Sequence, residues 1–234
     1  MNVPGKSFKG TGETQRDWTI GSIPGNLWAL SWPMIITQSL NTLGPLIDTI
    51  WVGRLGAAAI AGVGISSMAV HLLNAAMLGI TMGIRAMVAR AIGAGDPEGA
   101  NHVAQQAFVV STVFAALVAV IGIFLSEKIL IMFGVEQDVV TEGAAYMRIM
   151  FVGSLVMASR MVTESLMQSS GDARRPMLIA VFYRVVHLVL CPLLVFGVWI
   201  FPFMGVSGTA VTNVISQCLG LGIGLWILLS LIHI

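Results

Sequence analysis

The stretch LWALSWPMIITQSLNTLGPLIDTIWVGRLG, residues 27–56, decides the fold because its long apolar part, residues 27–52, carries a single charged side chain, Asp48. An α-helix rises about 1.5 Å per residue, so about 20 residues cross the roughly 30 Å hydrocarbon core of a membrane. Residues 27–52 satisfy that length with room for tilt, which places Asp48 below the membrane surface. A carboxylate there costs at least about 2.5 kcal/mol and by default indicates a functional site.

Small and polar residues form a stripe that leads back from Asp48 along one face of this helix. Steps of three and four residues keep to one helical face. Such a face predicts contact with protein or water rather than lipid, and the alternative is a carboxylate that serves packing or reaches the near interface. We expect Gln38 and Asn41 to line a polar cavity. The stripe comprises Pro45, Gly44, Asn41, Gln38 and Thr37.

The composition indicates an integral membrane protein. Hydrophobic residues make up 56% and charged residues 10% of the 234 residues, against roughly 25% charged residues in a soluble domain. The mean hydropathy is +0.89. The net charge of +1 gives no indication of nucleic acid. Cys191 and Cys218 lack CxxC or ligand spacing, so the spacing predicts neither a disulfide framework nor a metal site.

Five further apolar runs predict five more spans, and hence an all-α membrane protein with six transmembrane helices. The polar segments 85–102 and 126–142 predict loops. Gly79 and Gly83 form a GxxxG pair, which permits close helix contact. Arg160 and Glu164, four residues apart, predict a structural ion pair near the helix end, with a role in transport as the alternative. The further runs cover about 58–84, 103–125, 143–167, 177–201 and 208–234.

Basic residues predict the orientation. If residues 1–20 form a cytoplasmic tail, alternate loops place most Lys and Arg residues inside and only Arg54 and Lys128 outside, as expected for a multi-pass protein of the inner (plasma) membrane. Residues 21–234 would then form the transmembrane lobe. The sequence ends on SLIHI within an apolar run, which predicts a truncated chain. The inside residues are Lys6, Lys9, Arg16, Arg85, Arg90, Arg174 and Arg175.

Two properties of the first helix suit ion-coupled transport. Burial disfavours the charged form of a carboxylate, so Asp48 can take up and release a proton during a cycle. Pro33 and Pro45 each remove a backbone hydrogen bond, which makes bending easy at two places. The motifs HExxH and GxSxG and paired aspartates are absent from the sequence, so we expect neither an enzyme nor a cofactor.

Several motifs together resemble the amino-terminal lobe of a multidrug and toxic compound extrusion (MATE) transporter over residues 18–229. They occur in the order and at the spacing of that family. They are PMIITQSL (33–40), DTIWVGRLG (48–56), GAGD (93–96), SGDARRPM (170–177) and MGVSGTAVT (204–212).

The resemblance implies two six-helix lobes related by pseudo-symmetry, of which only one is present in this sequence. It implies export of organic cations and other amphipathic drugs or toxins, driven by inward movement of protons or sodium. It also implies that Asp48 is a coupling-ion site and that Pro33 is the proline about which the first helix bends. The expected partners are therefore small-molecule substrates, the lipid bilayer and a carboxy-terminal lobe, with no nucleic acid.

The fifth predicted helix departs from the family pattern. Where the family commonly has Asn and, four residues later, Asp, this chain has His187 and Cys191 ahead of Pro192. The resemblance implies that this face looks towards Asp48. Sodium prefers oxygen ligands, which Thr209 or Thr212 alone would hardly supply, whereas imidazole titrates near neutral pH and favours proton coupling. The alternative is that His187 and Cys191 serve only packing.

Two other functions remain open. A flippase of a lipid-linked cell-wall or oligosaccharide precursor shares the fold superfamily, but its pyrophosphate head would require a more cationic cavity. Arg148, Arg160 and Arg184 are the only cations predicted within the membrane, which favours drug export. A purely structural membrane subunit would leave the position of Asp48 on a polar stripe unexplained.

Overall fold

The chain forms six α-helices within residues 22–232, the part that this computed structural model describes. The predicted tail, residues 1–20, lies outside the described residues. Five of the helices, α2 to α6, are long and apolar enough to cross a membrane. The helices are α1 (Ile23–Val52), α2 (Ala57–Gly93), α3 (Pro97–Met132), α4 (Gln137–Ser169), α5 (Arg174–Phe196) and α6 (Gly205–Ile232).

Helix α1 is not among these five, because its polar stripe interrupts its apolar surface. Its 30 residues span about 45 Å, which exceeds a hydrocarbon core of about 30 Å. It continues through both of its prolines. The Thr37 hydroxyl donates to the Pro33 carbonyl at 2.9 Å and the Thr49 hydroxyl to the Pro45 carbonyl at 2.8 Å, an arrangement that often accompanies helix bending.

The two predicted loops are wrong, because the apolar runs mark the width of the membrane and not the ends of the helices. Most of segment 85–102 belongs to α2 and α3, and segment 126–142 is helical except at 133–136. Pro97 occupies the first turn of α3, and the Asp96 carboxylate accepts a hydrogen bond from the Gly99 N–H at 2.9 Å. This is N-terminal capping, so the turn between α2 and α3 needs only residues 94–96.

Helix α4 is the centre of the lobe and packs against α2, α3 and α6, while α1 packs mainly on α5. The closest approach of α2 and α4 is at Gly62 and Gly143, where a Cβ added to Gly62 would lie 3.1 Å from the Gly143 nitrogen. The close contact that Gly79 and Gly83 permit is not made in the described part of the chain, since a Cβ at either position would meet nothing within 4 Å there.

Five helices surround a cavity of about 850 Å³. The cavity lies between α1 and α2, which make few direct contacts with each other, and is closed behind by α4, α5 and α6. Of the described helices, only α3 contributes no lining residue. The helix packing therefore directs most of the polar stripe of α1 towards this half-open cavity.

Candidate functional site

The carboxylate of Asp48 lies in a buried cluster at one end of the cavity, which we call the carboxylate site: Asp48, His187 and Cys191. Nε2 of His187 is 3.1 Å from Oδ1 of Asp48, although the ring N–H does not reach hydrogen-bond geometry. The Cys191 thiol donates to the same oxygen at 3.9 Å. The exposed fractions are 2%, 1% and 0%, so all three groups are removed from solvent.

Arg184 determines the protonation pattern of His187. One guanidinium N–H of Arg184 lies 3.3 Å from Nδ1 of His187. Arginine can only donate, so Nδ1 accepts and the neutral ring carries its proton on Nε2, facing Asp48. A second proton on the ring would face the guanidinium. The proton of the neutral ring therefore lies on the side that faces the carboxylate.

The carboxylate site also contains three groups able to ligate a cation. One oxygen, one nitrogen and one sulfur atom, from Asp48, His187 and Cys191, lie within 4.8 Å of one another. A set with only one oxygen donor suits sodium poorly, because hard cations are held by oxygen.

The remaining predicted residues divide into two groups. Gln38, Asn41 and Pro45 line the cavity, while Pro33 is buried in α1. Thr209 and Thr212 are fully buried, but their hydroxyls donate to the carbonyls of Val206 and Gly208 at 2.8 and 2.7 Å within α6. Neither threonine is among the residues that line the cavity.

A second polar cluster, the ion-pair site, lies at the C-terminal half of α4. Arg160 and Glu164 form the predicted ion pair in a buried position. Arg160 also donates to Gln217 through Nε, at 3.4 Å, and Gln217 donates to Asn213. Arg85, from α2, donates to the Ser165 hydroxyl at 3.1 Å. The ion-pair site consists of Arg85, Arg160, Glu164, Ser165, Asn213 and Gln217.

Tyr183 connects the two sites. The guanidinium carbon of Arg160 is 4.7 Å from the centre of the Tyr183 ring, and that of Arg184 is 5.4 Å from it. Both distances are typical of cation–π contacts. The Tyr183 hydroxyl donates to the Asn41 amide oxygen, which joins α5 to the polar stripe of α1.

The distribution of cations differs from the one predicted. Arg148 is exposed and pairs with Glu127 at 2.9 Å, so it does not belong to the cavity. Arg85, which fell in a predicted loop, lines the cavity instead, because α2 continues past it. The sequence patterns did not predict Tyr183 as a site residue. The only pattern that points to it is its spacing of four from His187, which places both side chains on one face of α5.

Buried charges around a cavity between apolar helices are typical of membrane transport proteins. Residues 33–193 match the MatE family. The chain therefore belongs to the MatE family, and the resemblance to one lobe of a MATE transporter is confirmed.

Known proteins of this family show how much of the molecule is present. The chain is 26% identical over 205 residues to a probable multidrug resistance protein NorM of Thermotoga maritima, covering 87% of this chain and 44% of that protein. A MATE crystal structure in the bent conformation is 28% identical, with a TM-score of 0.78, over 85% of this chain and 44% of that one. The chain thus spans about half the length of the relatives it matches.

A MOP superfamily transporter from Pyrococcus furiosus is similar over a larger share of the chain. Its structure gives a TM-score of 0.83 at 26% identity, covering 92% of this chain and 48% of that one. Reverse polarity of the binding pocket, suggesting a different function, is described for that protein.

Proposed function

We propose that the chain is one lobe of a secondary active antiporter that exports amphipathic drugs or toxins, organic cations among them, in exchange for protons. Multidrug resistance relatives support export. The observation that carries proton coupling is the buried contact of 3.1 Å between Nε2 of His187 and the Asp48 carboxylate. A proton can be held there and released when solvent reaches the site.

The proposed cycle uses only groups in the cavity. With the site open to the acidic side, a proton binds to the Asp48–His187 pair, removing the charge that burial disfavours. With the site open to the other side, the proton leaves. Helix α1 carries Asp48 and the polar stripe and packs mainly on α5, so a change in α1 alters the carboxylate site and the cavity together.

Replacing Asp48 by Asn tests this proposal. Asn keeps the shape of the side chain but cannot exchange a proton, so we expect normal membrane insertion and loss of concentrative export, by at least tenfold. Dye accumulation in cells that lack other pumps measures the loss. The matched control is Asp138→Asn, which neutralises an exposed carboxylate in the first turn of α4. Normal export by Asp48→Asn would contradict the coupling role.

A flippase of a lipid-linked precursor is the second candidate, supported by Arg85, Arg160 and Arg184, which all line the cavity. Such a protein would move a lipid-bound pyrophosphate and leave soluble dyes inside the cell. The same dye-accumulation assay therefore separates the two functions.

We further propose a plasma-membrane location with a cytoplasmic amino terminus. The asymmetry of Lys and Arg residues supports this orientation. A carboxy-terminal lobe completing the transport pathway is also part of the proposal, supported by the half-length match to known relatives. No reaction at a catalytic residue is needed for this function.

A further inference from the structure

Arg184 carries a buried positive charge without a carboxylate partner. It lies near the middle of the 23-residue α5, with an exposed fraction of 9%. No carboxylate oxygen in residues 22–232 lies within 4.0 Å of its guanidinium, and its Nε has no hydrogen-bond partner. Buried charges in proteins are normally paired, so this guanidinium has unused capacity to bind an anion.

The surroundings hold Arg184 in a fixed position beside the cavity. The Tyr183 ring lies under the guanidinium, and Nδ1 of His187 accepts one N–H. Gly44 provides the room on α1, since a Cβ at that position would overlap the guanidinium. Arg184 is thus placed before any ligand arrives, and its planar fork matches carboxylate and phosphate groups.

The charges of the cavity lining leave a positive excess around Arg184. Three arginines, Arg85, Arg160 and Arg184, line the cavity with two carboxylates, Asp48 and Glu164. Glu164 is paired with Arg160. Asp48 contacts His187 instead of Arg184, so neither carboxylate neutralises Arg184 directly.

The same cavity provides an apolar surface next to these charges. Five methionines line it, and their flexible side chains adapt to ligands of varied shape. A molecule that satisfies both surfaces has an apolar body and one anionic group. The five residues are Met34, Met82, Met150, Met157 and Met161.

We propose that Arg184 binds the carboxylate or phosphate group of an amphipathic molecule exported by this protein. The inference rests on the proposed export function and narrows its substrates, because a purely cationic compound would meet an excess of like charge. Arg184 is then the residue that determines the charge preference of the cavity. Arg160, on the same tyrosine ring, is paired with Glu164 and leaves Arg184 as the arginine available to an anion there.

Matched dyes test this preference. Tetramethylrhodamine carries a free carboxylate on a cationic aromatic ring system, and its methyl ester has the same cationic ring system without the anionic group. Fluorescence polarisation measures the binding of both dyes to the purified transporter, expressed from its complete gene, in phosphatidylcholine nanodiscs. We expect at least tenfold tighter binding of the acid, because charge-assisted hydrogen bonds are stronger than hydrogen bonds between neutral groups. Equal or tighter binding of the ester to the wild type would overturn the inference without any variant.

Variants assign the effect to Arg184. We expect Arg184→Gln to lower the acid-to-ester affinity ratio about tenfold, and Arg184→Lys, which keeps the charge but loses the fork, to lower it less. The matched control is Arg148→Gln, which removes an arginine paired with Glu127 outside the cavity. If Arg184→Gln lowers the affinity for both dyes equally, Arg184 only supports the structure of the site and does not bind the anionic group.

Two further measurements separate this inference from the proposed function. Export from proteoliposomes under an imposed proton gradient tests the function. If the acid dye binds through Arg184 but neither dye is transported, the export proposal fails and the anion site stands. Nanodiscs with added phosphatidylglycerol test the source of the anion. Displacement of the acid dye by this lipid would show that Arg184 binds a lipid headgroup. That result would contradict the proposal that Arg184 binds an exported molecule.

Discussion

At the carboxylate site, two chemically different side chains approach the same carboxylate oxygen. The imidazole of His187 and the thiol of Cys191 both approach Oδ1 of Asp48. Neither replaces the oxygen donors that sodium requires. Sequence reasoning predicted this juxtaposition because the resemblance aligned α5 with α1. It could not predict the role of Arg184, whose importance depends on which groups are missing around it in three dimensions.

The double variant His187→Asn with Cys191→Asp tests the basis of ion choice. It places an amide oxygen and a carboxylate beside Asp48. We expect wild-type export in proteoliposomes to follow a proton gradient and to be indifferent to sodium, and the double variant to be stimulated severalfold by a sodium gradient. His187→Asn alone, which adds one oxygen, is the matched control. Collapse of wild-type export when sodium is removed at fixed pH would contradict the proposal that the proton is the coupling ion.

Among the elements, α2 and α4 approach each other backbone to backbone. The Ser66 hydroxyl donates to the Gly143 carbonyl at 3.0 Å, next to the close approach at Gly62. The existence of all the helices was predictable from apolar runs. Their ends were not, because capping and charged extensions lie outside those runs. The choice among glycines was not predictable either, since it depends on which helix lies opposite.

Replacing Gly143 by Val should push α2 and α4 apart. The new side chain would meet the Gly62 carbonyl and the Ser66 hydroxyl, both 3.1 Å from the position of its Cβ. Overpacking typically costs about 1–3 kcal/mol, so we expect a lower Tm in detergent, by several degrees. Gly79→Val, where a Cβ meets nothing within 4 Å, should change the Tm little. A larger loss at Gly79 would contradict this assignment of the contact.

For the whole molecule, the positions of the turns decide which side of the membrane each end of the cavity faces. With the proposed orientation, we expect turns 94–96 and 170–173 on the cytoplasmic side and turn 133–136 on the outside. Asp48 and Cys191 then lie nearer the outside, and Arg160 and Glu164 nearer the cytoplasm. The two polar sites then lie at different depths in the membrane.

Cysteine labelling tests this orientation. In a variant with Cys191→Ser and Cys218→Ser, we expect Ala94→Cys and Arg174→Cys to resist an impermeant thiol reagent in intact cells. Gln137→Cys should react. All three positions are exposed, so the membrane and not burial controls the reaction. Labelling after permeabilisation confirms that each thiol is reactive, and the opposite pattern in intact cells would reverse the proposed direction of transport.

The room that Gly44 leaves for the Arg184 guanidinium has an evolutionary consequence. A larger residue at position 44 would require the Arg184 guanidinium to move, because a Cβ on α1 would occupy part of its space. The two positions are 140 residues apart in the chain, yet we expect a substitution at one to change which substitutions the other tolerates. A family alignment in which position 44 varies freely while arginine stays at position 184 would contradict this expectation.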